Sequence, residues 1–232
     1  MSSPDAARTP LSRARVAEAA VALADDVGLD GTTMRRLADD LGVTPMALYK
    51  HVANREELVD AMVDHIVGEM IAPDADPDAV TAGTWKSALR AQVTASRAVV
   101  LRHPWSVEAI ETRTLASPVV LAYMDRLMRI LFAGGLSADL VHHAMHALST
   151  RMWGFTRDVL PTPSMPDDPA ERASALAGFA EAYPGIVRMA TTAPHAGAEC
   201  DSDAEFAFAL EILLDSFERL HAAGWSSVPA VV

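Results

Sequence analysis

The 232-residue chain holds one cysteine, Cys200. An internal disulfide is therefore excluded, and a reducing cytoplasmic setting is expected. No activating base neighbours Cys200 in the sequence, which makes it an incidental thiol rather than a nucleophile. Long apolar runs are missing too, since none approaches the roughly 18 residues a membrane helix needs. The opening "MSSPDAARTPLSRAR" has no apolar h-region, so neither a secretory signal nor a membrane partner is expected. Cations are scarce, with 19 Lys and Arg against 31 Asp and Glu and a net charge of −12. That balance argues against wholesale coating of nucleic acid. No carboxylate pair, Ser/His/Asp set or phosphate loop appears in a context suited to catalysis, so neither an enzyme nor a cofactor is expected.

What is present is a globular composition, half apolar and 22% charged. Apolar stripes recur at the 3.6-residue period and strand-like alternation does not, which predicts an all-α fold. Ser12 caps a first helix carrying Val16, Ala19, Ala20, Leu23 and Val27 up to a stop at Gly28. Thr33 caps a second that ends at Leu41 and Gly42, and Thr44 with Pro45 opens a third. Asn54 and Glu57 form a capping box before a fourth helix bearing Leu58, Met62, Ile66 and Met70. The Pro/Asp-rich stretch 72–83 then divides the chain. Longer helical patterns follow at 84–102, 118–132, 138–160 and 202–223, the last opened by Ser202 and Glu205 as a second capping box. Segments 160–169 and 191–203 read as loops. The expected organisation is a flexible arm at 1–11, a helix-turn-helix domain with its connecting helix at 12–70, and a larger helical domain at 71–232.

The stretch "LGVTPMALYKHVANREEL" at 41–58 carries the functional reading. Ala38 is small where two helices cross, and Gly42 supplies a turn four residues later. Leu37, Leu41, Val43, Leu48 and Val52 lock the pair, while Pro45, Met46, Tyr49 and Lys50 share the opposite face. Residues 32–55 carry four cations against two aspartates, a local balance of +2 inside an acidic chain. This pattern fits a recognition helix in a major groove, or a plain helical hairpin with Tyr and Lys in solvent. In the first case Lys50 reads guanine or phosphate, Met46 and Ala47 meet thymine methyls, and Tyr49 and His51 contact the backbone. Thr33, Arg35, Thr44 and Arg55 then meet phosphates near helix starts.

The run "VALADDVGLDGTTMRRLADDLGVTPMALYKHVANREELVDAM" resembles the DNA-binding domain of the tetracycline-repressor (TetR) family. More loosely, "LRHPW" at 101–105, "AGGLSADLVHHAMHALSTRMWGF" and "EFAFALEILLDSFERL" resemble the ligand-binding domain of the tetracycline-repressor subgroup. The resemblance implies a homodimeric transcriptional regulator, most often a repressor, released from a palindromic double-stranded operator by a small-molecule effector. An activator or global regulator on the same scaffold, or a helical ligand-binding protein that lost operator binding, are the alternatives. The fourth helix would be the lever between effector and DNA. Dimerisation would use the helices around 138–160 and 202–223, where Phe206, Ala209, Leu210, Leu213, Leu214 and Phe217 form a stripe that covers a core, a partner, or both.

In the tetracycline-binding members two histidines help hold a magnesium–drug chelate, and Ile71 and Ile110 stand at the matching positions here. The implied effector is therefore not a magnesium chelate, and no metal is expected. Residues on the helices that surround the family's pocket are Trp85, Gln92, Trp105, Ile110, Tyr123, Met124, Met128, His146, Thr150, Met152 and Trp153. They describe an aromatic, Met-rich cavity suited to a largely apolar ligand, although each alone is equally a core residue. The spacing of His142, His143 and His146 allows metal binding, ligand contact or a bland polar cluster.

Overall fold

The computed structural model describes residues 10–152, 166–192 and 201–228. Among them are eleven helices and no strand, in agreement with the all-α expectation. The first four are α1 (Arg13–Gly31), α2 (Met34–Leu41), α3 (Pro45–Leu48) and α4 (Arg55–Glu69). Then come α5 (Trp85–Arg102), α6 (Ser106–Glu111), α7 (Pro118–Ala133) and α8 (Ala138–Met152). The last three are α9 (Pro169–Ala182), α10 (Pro184–Thr192) and α11 (Ser202–Ala222). Residues 1–9 of the expected arm, the 153–160 part of the 138–160 pattern, and Cys200 lie outside the described residues.

The chain divides into two compact units, one of residues 1–153 with 213–232 and another of 154–212. In the first, α1 packs along α4, and α4 also meets α5, α6 and α7. One hydrophobic cluster joins Val16, Ala20, Leu37, Leu48, Val52, Leu58, Met62 and Ile66 to Val99, Val100, Trp105 and Ala109. The helix-turn-helix core is thus continuous with the ends of α5 and α6. The expected divide at 72–83 is a break in sequence pattern but not in packing, because Ala72 and Ala75 are buried. The second unit holds α9, α10 and the start of α11. Within it the rings of Phe179 and Tyr183 lie 5.0 Å apart.

Local signals account for most helix starts. Ser12, Thr33, Asn54 and Ser117 each accept a backbone N–H three residues on. The Asn54 box closes from the other side, where Ala53 N donates to Glu57 Oε2 at 2.7 Å. Several boundaries differ from expectation. Helix α1 breaks at Gly28 (φ 75°) but resumes for one turn to Gly31. At the last helix Asp201, not Ser202, takes the cap, accepting from Asp203 N and Ala204 N. An aspartate one position earlier outcompetes the hydroxyl as acceptor for the first free N–H groups. Helices α6, α9 and α10 were not expected. The first has only six residues, too few for a stripe to register. No residue of α9 is buried, so it has no apolar face to betray it.

Candidate nucleic-acid interface and effector-side helices

Helix α2 ends where Gly42 turns left-handed (φ 62°, ψ 37°), a conformation that suits glycine because no Cβ meets the backbone. Val43 N then donates back to Ala38 O at 2.9 Å, which closes the turn. Helix α3 is shorter than the pattern suggested. Four residues are helical, and the chain continues through turns to His51, with His51 N donating to Leu48 O. Thr44 makes no side-chain cap, so Pro45 at the first helical position starts the helix by its fixed φ.

The two faces separate as the spacing required. Leu48 and Val52 are fully buried, while Met46 is 72% and Tyr49 45% exposed. Thr33, Arg35, Thr44, Pro45, Lys50 and Arg55 are exposed as well, and Ala47 and His51 are half-buried. Two of these residues already have structural duties. The Thr33 hydroxyl caps α2, and Arg55 Nη2 donates to Leu29 O at 3.1 Å with Asp30 at 3.7 Å. Arg55 therefore ties the start of α4 to the end of α1 and leaves only part of its guanidinium for a phosphate.

The effector-side residues fall into four places rather than one. Trp85 is buried at the start of α5, under Gly134 at the end of α7. A Cβ at Gly134 would stand 2.6 Å from Trp85 Cγ, so the helix end approaches the indole only because the side chain is absent. Trp105 is buried at the opposite end of α5, where its Nε1 donates to Asp25 Oδ1 of α1 at 2.7 Å. His103 Nδ1 meets the same oxygen at 2.7 Å. Ile110 lines a cleft of about 480 Å³ with Val63, Leu115, Pro118 and Val120, edged by the Arg113–Asp60 ion pair. Ile71 is 46% exposed.

The fourth place is the crossing of α5 and α7. Gln92 is fully buried, and its Nε2 donates to Met70 O at 2.5 Å. Its Oε1 accepts from Ala72 N at 3.1 Å and from Arg126 Nε at 2.9 Å. Arg126 Nη2 donates to Ala72 O at 2.7 Å, and the Tyr123 hydroxyl lies 2.7 Å from Ser96 Oγ. Burial pushes the Tyr123 pKa up, against the hydrogen bonds from Ser96 and Gln92 that lower it, so the hydroxyl keeps its proton at neutral pH. The C-terminal end of α4 is thus held by two side chains of the effector-side helices.

Of the remaining candidates, Met124 is exposed and Met128 half-buried. His142, His143 and His146 are all exposed on α8, with the His142 and His146 rings 4.7 Å apart and His143 edge-on to Trp225. Among the described residues no group of three or more His, Cys, Asp or Glu is arranged to hold a metal. The side chains of Thr150 and Met152, and the whole of Trp153, lie outside what is described. Asp25, His103 and Arg126 were missed in the sequence. Asp25 does carry a signal, standing four residues after buried Val21 on the same stripe of α1. Arg126 interrupts an apolar helix one turn after Tyr123 in the same way.

Residues 16–62 match the family described as bacterial regulatory proteins, tetR family, and 77–220 match the tetracyclin repressor-like C-terminal domain. The HTH-type transcriptional repressor DrrR1 of Streptomyces coeruleorubidus is 35% identical over 123 residues, 53% of this chain and 44% of its own length. This chain thus matches less than half of that relative. The Escherichia coli tetracycline repressor protein class A from transposon 1721 is 29% identical over 214 residues, 91% of this chain and 92% of that protein. Among solved structures, apo ActR from Streptomyces coelicolor superposes with a TM-score of 0.71 at 26% identity, covering 94% of this chain and 99% of ActR. The chain belongs to the TetR family of bacterial regulatory proteins, with a tetracycline-repressor-like C-terminal domain.

Proposed function

We propose that the protein is a homodimeric transcriptional repressor that binds a palindromic DNA operator and leaves it when a small, largely apolar effector occupies the C-terminal domain. The carrying observation is the α3 face, where Met46, Tyr49 and Lys50 stand exposed over the buried Leu48 and Val52. A short helix presented that way fits a major groove, with Lys50, Met46 and Ala47 on base edges and Thr33, Arg35, Thr44, Pro45, Tyr49, His51 and Arg55 around the backbone. One such patch with so few cations binds weakly. Two half-sites about 34–36 Å apart make binding depend on dimer geometry, and therefore switchable. Exposed Phe208 and Ile212 on α11 supply apolar surface for the partner copy.

A small-molecule effector is supported by the relative ActR, solved in complex with (S)-DNPA. Isoleucines at 71 and 110 lack the donors and metal-ordering groups of a magnesium-chelate site, which favours an apolar ligand. Helix α4 is the lever, since Asn54 and Arg55 begin it beside the DNA face and its far end is held by Gln92 and Arg126. No described helix is long and apolar enough to cross a membrane, and we place the repressor in the cytoplasm. The divide between DNA-binding and effector-binding residues is placed near residue 70 on the sequence pattern, although packing is continuous across it.

The test is selection of double-stranded DNA by the full-length protein, followed by salt titration of the selected palindrome. Affinity should fall steeply with salt. Lys50→Ala should weaken the selected site more than unrelated DNA, by about 1–3 kcal/mol. Equal losses on every sequence would reduce Lys50 to a phosphate contact, and no selected sequence at low salt would end the repressor reading.

A further inference from the structure

Several half-buried or buried cations of the first unit are matched by carboxylates. Lys86 meets Asp215 at 2.8 Å and Glu218 at 2.9 Å, Arg113 meets Asp60 at 2.7 Å, and His103 meets Asp25 at 2.7 Å. Arg126 differs. It is half-buried on α7, and its partners are the neutral oxygens Gln92 Oε1 and Ala72 O. No carboxylate pairs with it among the described residues, and its Nη1 makes no hydrogen bond there. A guanidinium withdrawn from water without a counter-charge is costly, and an anion that joins it recovers that cost. Around it stand the polar groups of the α5–α7 crossing, Gln92, Ser96 and Tyr123.

We propose that Arg126 recognises an anionic group, a carboxylate or an oxygen of similar acidity, on the otherwise apolar effector, and that this pairing loosens the end of α4. The inference rests on the repressor reading and adds the ligand's charge and the residue that reads it. The coupling follows from guanidinium geometry. The edge formed by Nε and Nη2 is occupied by Gln92 Oε1 and Ala72 O. A carboxylate taking the other edge, Nη1 with Nη2, uses the second Nη2 hydrogen rather than the one that holds Ala72 O. A bidentate charged pair is stronger than hydrogen bonds to neutral oxygens, so the guanidinium recentres on the anion and its hold on Ala72 O weakens. Ala72 lies three residues beyond Glu69, the last residue of α4, so its release frees the lever at the end opposite the DNA face.

The test has two arms on the full-length protein. In the first, tryptophan fluorescence reads binding of anthracene carboxylate and of its primary amide, with naphthoate and naphthamide as a smaller pair. Wild type should bind the acids at least about tenfold more tightly than the amides, the worth of one charge-assisted hydrogen bond. Arg126→Gln should abolish the preference and Arg126→Lys should keep it. Acids bound no better than amides, neither bound, or a preference that survives in Arg126→Gln would overturn the assignment.

In the second arm no ligand is present. Arg126→Ala and Arg126→Met, neither of which can donate to Ala72 O or Gln92 Oε1, should each weaken the selected palindrome by about tenfold or more. Arg129→Ala, on the same helix as Arg126, breaks an exposed ion pair with Asp78 of the 72–83 segment and should leave it unchanged. Palindrome affinity equal to wild type in both Arg126 variants would overturn the coupling. Because the first arm uses no DNA, failure of the repressor reading shows separately, as a wild-type protein that selects no palindrome.

Discussion

Trp105 Nε1 donates to Asp25 Oδ1 at 2.7 Å, joining the segment after α5 to the first helix of the DNA-binding half. Trp105→Phe keeps the buried ring but removes the N–H, while His103 remains on the same carboxylate. The expected cost is about 1 kcal/mol, with a melting temperature lower by roughly 2–4 °C. Calorimetry on the two proteins checks this, and an unchanged melting temperature would show that His103 alone carries the junction.

Gln92 satisfies three groups at once, Met70 O, Ala72 N and Arg126 Nε. Gln92→Leu has similar bulk but leaves all three unpaired in a buried place. A loss of at least about 2 kcal/mol follows from unsatisfied buried polar groups. Hydrogen exchange should localise the loosening to the end of α4 and the residues after it. Protection lost evenly over the whole chain would contradict that assignment.

Gly134 has an ordinary helical backbone (φ −71°), so its role is steric. Gly134→Ala drives a methyl into the Trp85 indole and should destabilise by about 1–3 kcal/mol. Trp85→Leu in the same chain makes room and should recover part of that loss. A Gly134→Ala protein as stable as wild type would mean that the end of α7 yields freely.

Asp139 anchors residues after α11 by accepting from Ser227 N at 2.6 Å, Ser227 Oγ at 2.8 Å and Ser226 Oγ at 3.1 Å. Its pKa is lowered, first by the Ser227 backbone N–H, then by the Ser227 hydroxyl. A lowered carboxylate pKa contributes stability that is complete above the ordinary value of about 3.9 and is lost as pH falls through the lowered one. Exchange protection of the Ser227 amide should therefore hold at pH 6 and disappear only under strongly acid conditions. Asp139→Asn should remove that acid step, and its persistence would assign it to another group.

The sequence-level reading captured the parts whose cause is local. The caps at Ser12, Thr33 and Asn54, the turn at Gly42, and the buried positions of Leu48 and Val52 each follow from residues within a few places of one another. It overestimated α3, because a stripe of apolar residues continues through turns as readily as through helix. The effector side was less legible. Trp85, Trp105 and Ile110 were grouped by residue type, yet the fold sets them in three separate surroundings.

Charge distribution, helical periodicity, capping pairs and the 41–58 motif determined by themselves that this is an all-α chain with a small, locally basic recognition face. Those features act over one or two helical turns, and side-chain period and cap chemistry are enough to read them. Only the tertiary structure decided that Asp25 receives Trp105, that Gln92 and Arg126 grip the end of α4, and that Arg126 lacks a carboxylate. Those partners are 80, 22 and 54 residues apart in the pairs Asp25–Trp105, Met70–Gln92 and Ala72–Arg126. The burial that makes each pairing consequential comes from helix packing, which no local pattern encodes.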